Sequence, residues 1–170
     1  MKPARYRVGI LTVSDRGARG EYADRSGPVI AERLHRGGLW EVAEQAIVPD
    51  EEEQIVAALR RWRHAGLHLV LTTGGTGFAP RDVTPEATRR VIEREAPGIA
   101  EALRAESLKI TAHAMLSRGI AGIAGHTLII NLPGSPKAVA ESMDILLPVL
   151  PHALDLLTAA PDTERQHRLV

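Results

Sequence analysis

The sequence predicts an α/β fold, a three-layer sandwich in which helices cover both faces of a mostly parallel sheet that carries one antiparallel hairpin element. Short apolar runs alternate along the chain with longer segments whose apolar residues recur at helical spacing, as in strand–helix–strand units. The runs are apolar throughout, which is typical of strands covered on both faces. Two such runs near the C-terminal end are separated by only two residues, which predicts the hairpin.

Composition and charge narrow the class of protein. The 170 residues, 44% apolar and 25% charged, suit one globular domain, and we expect a single domain over residues 1–170. Because 21 basic residues balance 21 acidic ones, no overall field favours a nucleic acid or a membrane surface. The lack of cysteine excludes disulfides and thiolate metal sites, and the histidines show no metal-ligand spacing. No leader and no membrane-spanning run is visible, so the cytoplasm is the expected compartment.

The first half of the chain predicts three strands, with a helix after each of the first two. The strands are predicted at residues 7–13, 41–48 and 67–73, each a short apolar run. Pro28 opens the first helix and Gly37 closes it, as a first-turn proline and a terminal glycine predict. The second helix follows Asp50 and begins with three glutamates, whose charges suit a helix N-terminus.

The middle of the chain is predicted to be mainly helical. Thr84 is the expected N-cap, with Pro85 at the first position, of a helix that runs to about Glu95. Pro97 should break that helix. Further helical segments are predicted at residues 99–108 and, for a turn or two, at residues 112–117.

The last part of the chain predicts the hairpin and a long helical segment. The hairpin strands are expected at residues 119–124 and 127–132. The helical segment that follows, to about Thr158, is apolar on more than one side, which suits either a central helix or an oligomer contact. Pro148 and Pro151 should kink it or divide it in two. The charged tail at residues 160–170 is expected to fray.

One loop has the composition of a phosphate-binding segment. In open α/β sheets ligands bind beyond the carboxyl ends of the strands, so function is expected in the loops that follow them. The loop TTGGTGFAPRD has three glycines that let backbone amides approach a phosphate, and hydroxyls at Thr72, Thr73 and Thr76 add donors. It matches neither the P-loop nor the GxGxxG pattern. The alternative is a plain tight turn between strand and helix.

Two aspartates and an arginine lie at or near this loop. Asp82 is within it and Asp50 ends the second strand, and carboxylates beside phosphates are what a bridging magnesium ion requires. Either aspartate alone could instead be a helix cap. Arg81 could bind phosphate with its forked guanidinium or pair with Asp82, and we expect a mixed role.

Three more polar segments follow or flank predicted strands. NLPGSPK, at residues 131–137, offers a glycine turn, a hydroxyl and a lysine for another phosphate. Ser135 could also cap the last helix, a role that can coexist with binding. The segments at residues 14–16 and 24–26 surround a loop that either closes over a substrate or is a solvated connection.

The glycine loop and its continuation, TTGGTGFAPRDVTPEAT, resemble the signature of the molybdenum-cofactor biosynthesis family. This MogA/MoaB-like domain is shared by bacterial molybdopterin adenylyltransferases and by plant and animal fusion proteins. Further resemblance lies in ILTVSDR, DRSGP, IVPDE, ESLKITAHAMLSR, AGI and TLIINLPGSPKA. The similarity covers about residues 5–157, so the resemblance extends over essentially the whole predicted domain.

The resemblance implies a trimeric domain that binds molybdopterin and ATP at the strand ends. The implied reaction transfers AMP from Mg-ATP to the terminal phosphate of molybdopterin and releases pyrophosphate, and a molybdenum insertion enzyme is an implied partner. Asp50 and Asp82 match the acidic residues that the family uses for magnesium and catalysis. The positions that match the nucleotide-binding or pterin-binding loops are Ser14, Asp15, Thr73, Gly74, Gly75, Thr76, Gly77, Arg81, Pro133, Gly134 and Ser135.

Two alternatives stay open within the same family. A paralogous branch does not keep the arginine before the second aspartate, so Arg81 followed by Asp82 favours the adenylyltransferase branch. The other alternative is a catalytically silent molybdopterin-binding or scaffold module, against which the presence of Asp50 and Asp82 argues. Which loop binds pterin and which binds nucleotide is also left open.

Overall fold

The computed structural model describes residues 5–159, which form one six-stranded sheet between two layers of helices. The strands are β1 (Tyr6–Val13), β2 (Trp40–Val48), β3 (Leu69–Thr73), β4 (Arg94–Glu95), β5 (Ala121–Ala124) and β6 (Thr127–Leu132). Their order is β2–β1–β3–β6–β5–β4. The strands β2, β1, β3 and β6 are parallel to one another. The strand β5 is antiparallel to β6, and β4 is antiparallel to β5. The predicted sheet is confirmed.

Helices lie on both faces of this sheet. They are α1 (Asp15–Ala18), α2 (Ser26–His35), α3 (Glu52–His64), α4 (Thr84–Arg89), α5 (Pro97–Leu108), α6 (Pro136–Leu146) and α7 (Leu150–Thr158), with a 3₁₀ helix at Ala112–Leu116. Buried residues of α2, α5, α6 and α7 pack on one face, and those of α3 and α4 pack on the other. The predicted three-layer sandwich is therefore confirmed.

The strand β1 shows why the predicted runs are apolar throughout. Val8 and Ile10 pack with the layer that contains α2 and α6, while Leu11 and Val13 pack with α3. Successive side chains of a strand point to opposite faces, so both sets must be apolar when both faces are covered. The same alternation holds in β3 and β6.

The predicted hairpin is β5 and β6. Ala124 pairs with Thr127 across the turn, and the two residues between them are Gly125 and His126. Gly125 has a φ of +61°, a conformation that costs glycine little. The hairpin therefore forms with the predicted two-residue connection, and β5 starts two residues later than predicted, at Ala121.

The first helix begins earlier than predicted. The helix α2 starts at Ser26, two residues before Pro28. The carboxylate of Asp24 accepts hydrogen bonds from the backbone N–H groups of Ser26 and Gly27, each at 3.0 Å. These bonds satisfy two N–H groups of the first turn, which lets the helix start before the proline.

The helix after the glycine loop differs from its prediction at both ends. Thr84 is its first residue and not its N-cap, because the Thr84 hydroxyl donates instead to the Gly74 carbonyl at 2.9 Å. The helix ends at Arg89 and not near Glu95. Beyond it the chain joins the sheet as β4, where the Glu93 N–H donates to the carbonyl of β5 residue Ile123 at 2.8 Å.

Pro97 and Pro151 each lie at the start of a helix. Pro97, which was expected to break a helix, lies in the first turn of α5, where its missing N–H needs no partner. Before Pro151 the helical segment divides into α6 and α7, as predicted. Met143 and Leu154 of these helices are fully buried, whereas Val149 and Leu156 are exposed. Much of the apolar surface of these two helices is therefore buried in the core of the protein.

The expectation of a frayed tail concerns residues 160–170, which lie outside the described part of the chain. Within residues 5–159, no helix combines the length and the apolar character that crossing a membrane requires.

Candidate active site

The loops after β1, β2, β3 and β6 meet at one edge of the sheet, because these parallel strands all end there. The Ser14 N–H donates to the Val48 carbonyl at 2.9 Å, which joins the loops after β1 and β2. The Thr73 hydroxyl donates to the Pro133 carbonyl at 2.6 Å, which joins the loops after β3 and β6. The loops predicted to carry chemistry are therefore brought together.

The glycine loop between β3 and α4 needs its glycines. Gly74 and Gly75 have φ values of +96° and +66°. A Cβ on Gly74 would press against the Val13 carbonyl oxygen, and one on Gly75 would press against the Thr84 hydroxyl and lie 3.1 Å from an Asp50 carboxylate oxygen. Side chains are excluded here by both conformation and space.

Asp15 and Asp50 are joined by a reciprocal pair of hydrogen bonds. The Asp15 N–H donates to Oδ2 of Asp50 at 2.8 Å, and the Asp50 N–H donates to Oδ1 of Asp15 at 3.0 Å. The two residues begin the loops after β1 and β2. Their exchange holds the Asp50 carboxylate against the glycine loop.

Arg81 binds Asp15 with both prongs of its guanidinium. Its Nε and Nη2 atoms donate to Oδ2 and Oδ1 of Asp15 at 2.5 and 2.8 Å. The Arg81 hydrogen bond holds the pKa of Asp15 below its ordinary value. The alternative in which Arg81 pairs with Asp82 is wrong, because the arginine reaches across to α1 and leaves Asp82 to other partners.

Asp50 and Asp82 each lie close to the glycine loop, Asp50 beside Gly75 and Asp82 beside Gly77. Burial raises the pKa of Asp50, and the charges of Asp15 and Asp82 raise it further. Oδ2 of Asp82 accepts the Ala79 N–H at 3.0 Å and lies 2.9 Å from where a Cβ on Gly77 would be. Two carboxylates thus converge on the loop, and the half-buried one is electrostatically destabilised as an anion.

Neither aspartate is a helix cap, so that alternative is wrong. The N-cap of α3 is Glu51 and that of α4 is Val83, and neither side chain caps its helix. Two carboxylates that cap no helix remain available to a ligand. In contrast, Ser14 accepts the Gly17 N–H at the start of α1, and Ser135 accepts the Ala138 N–H at the start of α6.

Two clefts adjoin at the glycine loop. The first, of about 360 Å³, is lined by Thr76 and Gly77 of the loop and by residues of α5, the 3₁₀ helix and α6. The second, of about 250 Å³, is lined by Gly74 of the loop, by Ser14 and by residues around the start of α2. The turn after β6 is shared, since Ser135 lines the first cleft and Gly134 lines the second.

The first cleft has apolar walls with hydroxyls set into them. Leu103 and Ala100 of α5 form part of its wall. Thr76 and Ser107 also line it, and neither side chain has a hydrogen-bond partner among residues 5–159. Arg104 is held by the Gly119 carbonyl at 2.8 Å. A flat ligand with polar edges suits such a cleft.

The second cleft is framed by the start of α2. The Thr12 hydroxyl donates to Asp24 at 2.7 Å, and the Ser26 hydroxyl donates to the Gly134 carbonyl at 2.6 Å. Asp24 and Ser26 therefore tie β1, α2 and the turn after β6 together. The side chains of Tyr22 and Arg25 stand at the exposed side of this cleft.

Comparison with known proteins identifies the family. Residues 9–152 match the family model described as "Probable molybdopterin binding domain". The chain belongs to the molybdenum-cofactor biosynthesis family. The expectation from the signature at the glycine loop is therefore confirmed.

Individual members of the family are similar over most of the chain. It is 43% identical over 152 residues to a molybdopterin adenylyltransferase of Helicobacter pylori, covering 88% of this chain and 86% of that protein. It is 46% identical over 163 residues to the gephyrin of Dictyostelium discoideum, of which it spans only 23%. The crystal structure of the molybdopterin biosynthesis enzyme MoaB from Thermus thermophilus is 57% identical, with a TM-score of 0.86, and the match covers 92% of this chain and 98% of that one.

The family signature coincides with the junction of the clefts. Gly77 lines the first cleft and Gly74 lines the second, Asp82 lies against Gly77, and Arg81 joins the loop to α1 through Asp15. Among the polar residues of the first cleft that sequence reasoning did not single out are Ser107, Arg104 and Thr111. All three fall near or within the family motif ESLKITAHAMLSR, where unexplained polar residues between helical segments are the available signal.

Proposed function

We propose that this chain is a molybdopterin adenylyltransferase, an enzyme that transfers AMP from Mg-ATP to the terminal phosphate of molybdopterin. The observation that carries the proposal is the junction of two clefts at a glycine loop flanked by Asp50 and Asp82. Group transfer requires the reacting ends of two substrates to meet, and adjoining clefts bring them together. The similarity to the Helicobacter pylori adenylyltransferase supports the same activity.

The chemistry of each cleft suggests its substrate. The first cleft suits the pterin, because apolar walls can cover a flat heterocycle while the hydroxyls of Thr76 and Ser107 meet its polar edges. The second cleft suits the nucleotide, since backbone groups around Gly74 and Gly134 can approach phosphates closely. The α-phosphate and the terminal phosphate of the pterin then meet at the glycine loop.

The transfer asks for positioning and charge neutralisation. An oxygen of the pterin phosphate forms a bond to the α-phosphorus of ATP, while the bond from that phosphorus to the β-phosphate oxygen breaks and pyrophosphate leaves. The attacking phosphate is already an anion at neutral pH, so no side chain has to remove a proton. The backbone amides of the glycine loop would hold the transferred phosphate.

The residues present fit a magnesium ion. Magnesium is usually held by one or two carboxylates, with water and substrate phosphates as its other ligands, and Asp50 and Asp82 supply that number. Burial raises the pKa of Asp50, and the charges of Asp15 and then Asp82 raise it further. A cation between Asp50 and Asp82 would offset the repulsion between their carboxylates. The bound ion would neutralise charge on the phosphates during transfer.

Assembly and location are also proposed. Exposed apolar side chains on and beside the 3₁₀ helix, among them Ile110 at 56% and Met115 at 64%, support a contact between copies of the chain. The family resemblance implies that the assembly is a homotrimer. The adenylated pterin would be passed to a molybdenum insertion enzyme in the cytoplasm. Light scattering that finds a monomer would reject the trimer.

The activity test mixes the purified protein with molybdopterin, ATP and magnesium, and follows pyrophosphate and adenylated pterin together. We expect the two products in equal amounts. A matched control is Asp144→Asn, an exposed carboxylate on α6 that pairs with Arg33 away from the clefts. Pterin binding without adenylate would instead support the catalytically silent module, and the absence of both would leave the family assignment without this activity.

A further inference from the structure

Two arginines converge on one tyrosine at the exposed side of the second cleft. The guanidinium carbons of Arg16 and Arg25 lie 5.1 and 5.4 Å from the centre of the Tyr22 ring. Both distances are within the range of cation–π contact. Tyr22 and Arg25 line the cleft, and Arg16 directly follows Asp15 of the reciprocal pair. We call these three residues the cationic rim.

Within residues 5–159, the two arginines of the cationic rim make no salt bridge of their own, although Glu21 lies close enough to Arg16 to interact with its charge. Arg19, on the same loop, binds Glu21 at 2.7 Å, and Arg81 binds Asp15. Two like charges on one ring repel each other, and a bound anion is what would offset that repulsion. The rim is therefore poised for a ligand with more than one negative charge.

We propose that Arg16 and Arg25 bind the β- and γ-phosphates of ATP, the part that leaves as pyrophosphate. This rests on the proposed function, which assigns the nucleotide to the second cleft. With the α-phosphate at Gly74 inside the cleft, the rest of the phosphate chain extends to its mouth, where the rim stands. Forked guanidiniums suit phosphate oxygens, and charge grows on this group as it leaves. Tyr22 is a positioning residue that holds the two guanidiniums together.

The test compares binding of three probes by calorimetry: Mg-ATP, AMP and inorganic pyrophosphate with magnesium. In the double variant Arg16→Gln with Arg25→Gln, we expect affinity for Mg-ATP and pyrophosphate to fall at least about tenfold, and that for AMP to stay unchanged. Arg19→Gln is the matched control, because it removes a charge from the same loop that Glu21 already neutralises. All these side chains are exposed, so the variants should fold, which circular dichroism checks.

A second pair of variants tests the role of the ring. Tyr22→Leu should weaken pyrophosphate binding, while Tyr22→Phe, which keeps the aromatic face, should restore it. Added salt should narrow the difference between ATP and AMP affinity in the unmodified protein and leave the double variant unaffected. Loss of AMP and ATP binding in equal measure, or a double variant that binds pyrophosphate normally, overturns the proposal.

The outcome is separable from that of the proposed function. If the unmodified protein makes adenylated pterin but the double variant binds ATP as tightly as the unmodified protein does, the role assigned to the rim is wrong. The proposed adenylyltransferase activity is then still supported. If pyrophosphate binding depends on the rim but no adenylated pterin forms, the rim binds polyphosphate as inferred and the transferase is rejected.

Discussion

Asp15 and Asp50, 35 residues apart in the chain, exchange hydrogen bonds in both directions, each carboxylate accepting the backbone N–H of the other. Each residue therefore fixes the other's loop, and Arg81 adds a third loop by binding Asp15 from 66 residues away. One small network thus sets the positions of the loops after β1, β2 and β3.

Replacing Asp82 by Asn should keep the fold and remove most activity. The change preserves size, and an amide oxygen can still accept the Ala79 N–H. It removes one charge that would hold magnesium, so we expect turnover to fall about 100-fold or more while the protein stays folded. Steady-state assays over a range of magnesium concentrations measure this, with Asp144→Asn as control. A fully active variant would show that Asp82 has no such role.

Asp50→Asn should stabilise the protein while inactivating it. Because burial raises the pKa of Asp50 in the folded state, its contribution to stability is fully present below the unfolded pKa and is lost as the pH rises through the folded pKa. The neutral amide avoids that loss, so the variant should melt at a higher temperature than the unmodified protein near about pH 7. In acid, where Asp50 is protonated, the two melting temperatures should become similar. Melting curves at both pH values test the sign, and a variant less stable at neutral pH would contradict it.

Arg81→Gln should affect activity more than stability. Arg81 is 58% exposed, and exposed ion pairs add little to folding free energy, so the melting temperature should barely change. Losing the bidentate pair frees Asp15, whose pKa should rise toward its ordinary value in an NMR titration. We expect kcat/KM for ATP to fall about tenfold, with Arg81→Lys only partly restoring it.

The control for this change is Arg36→Gln. Arg36 is an exposed arginine at the C-terminal end of α2, and it pairs with the carboxylate of Glu32. The substitution should leave both kinetics and the Asp15 titration unchanged. Equal effects of Arg36→Gln and Arg81→Gln would mean that only overall charge matters.

Gly75→Ala should be worse than Gly125→Ala. The two glycines have similar positive φ values, +66° and +61°, so alanine pays a similar backbone cost of about 1–2 kcal/mol at either site. At Gly125 the new Cβ meets nothing closer than Arg63 at 3.7 Å, whereas at Gly75 it would press on Thr84 and Asp50. We expect Gly75→Ala to unfold more easily and to lose about 100-fold in activity, because a small shift of the loop misaligns the substrates. Denaturant melts and assays of both variants measure the difference.

Ser107→Leu should weaken pterin binding alone. Its side chain would fill part of the first cleft, so KM for molybdopterin should rise about tenfold while calorimetric ATP affinity is unchanged. Ala105→Leu, an exposed position on the same helix, is the matched control. A loss of ATP affinity in Ser107→Leu would indicate that the two clefts have been assigned the wrong way round.

Some wrong predictions share one cause. A helix after Thr84 was predicted to reach Glu95, but pairing of Glu93 with Ile123 of β5 ends it earlier. Likewise, Thr84 has the chemistry of an N-cap, yet the Gly74 carbonyl takes its hydroxyl. In each case a partner distant in sequence competes with a local preference, and such partners leave no mark in the local pattern.

The sequence by itself determined the layers and the loops that carry chemistry. Apolar runs and helical periodicity are patterns among neighbouring residues, so they can be recognised in the sequence. The carboxyl ends of parallel strands lie at one edge of the sheet, so the loops that follow the strands are brought to that edge. Glycines and aspartates of the signature could therefore be singled out before any coordinates.

Only the tertiary structure decided which of those residues act together. Arg81 binds Asp15 and not its neighbour Asp82, burial raises the pKa of Asp50, and the glycine loop contributes residues to two clefts. All three features depend on distances between loops far apart in sequence. Hydrogen bonds and steric contacts act only within a few ångströms, so packing of the strands must first bring these loops together.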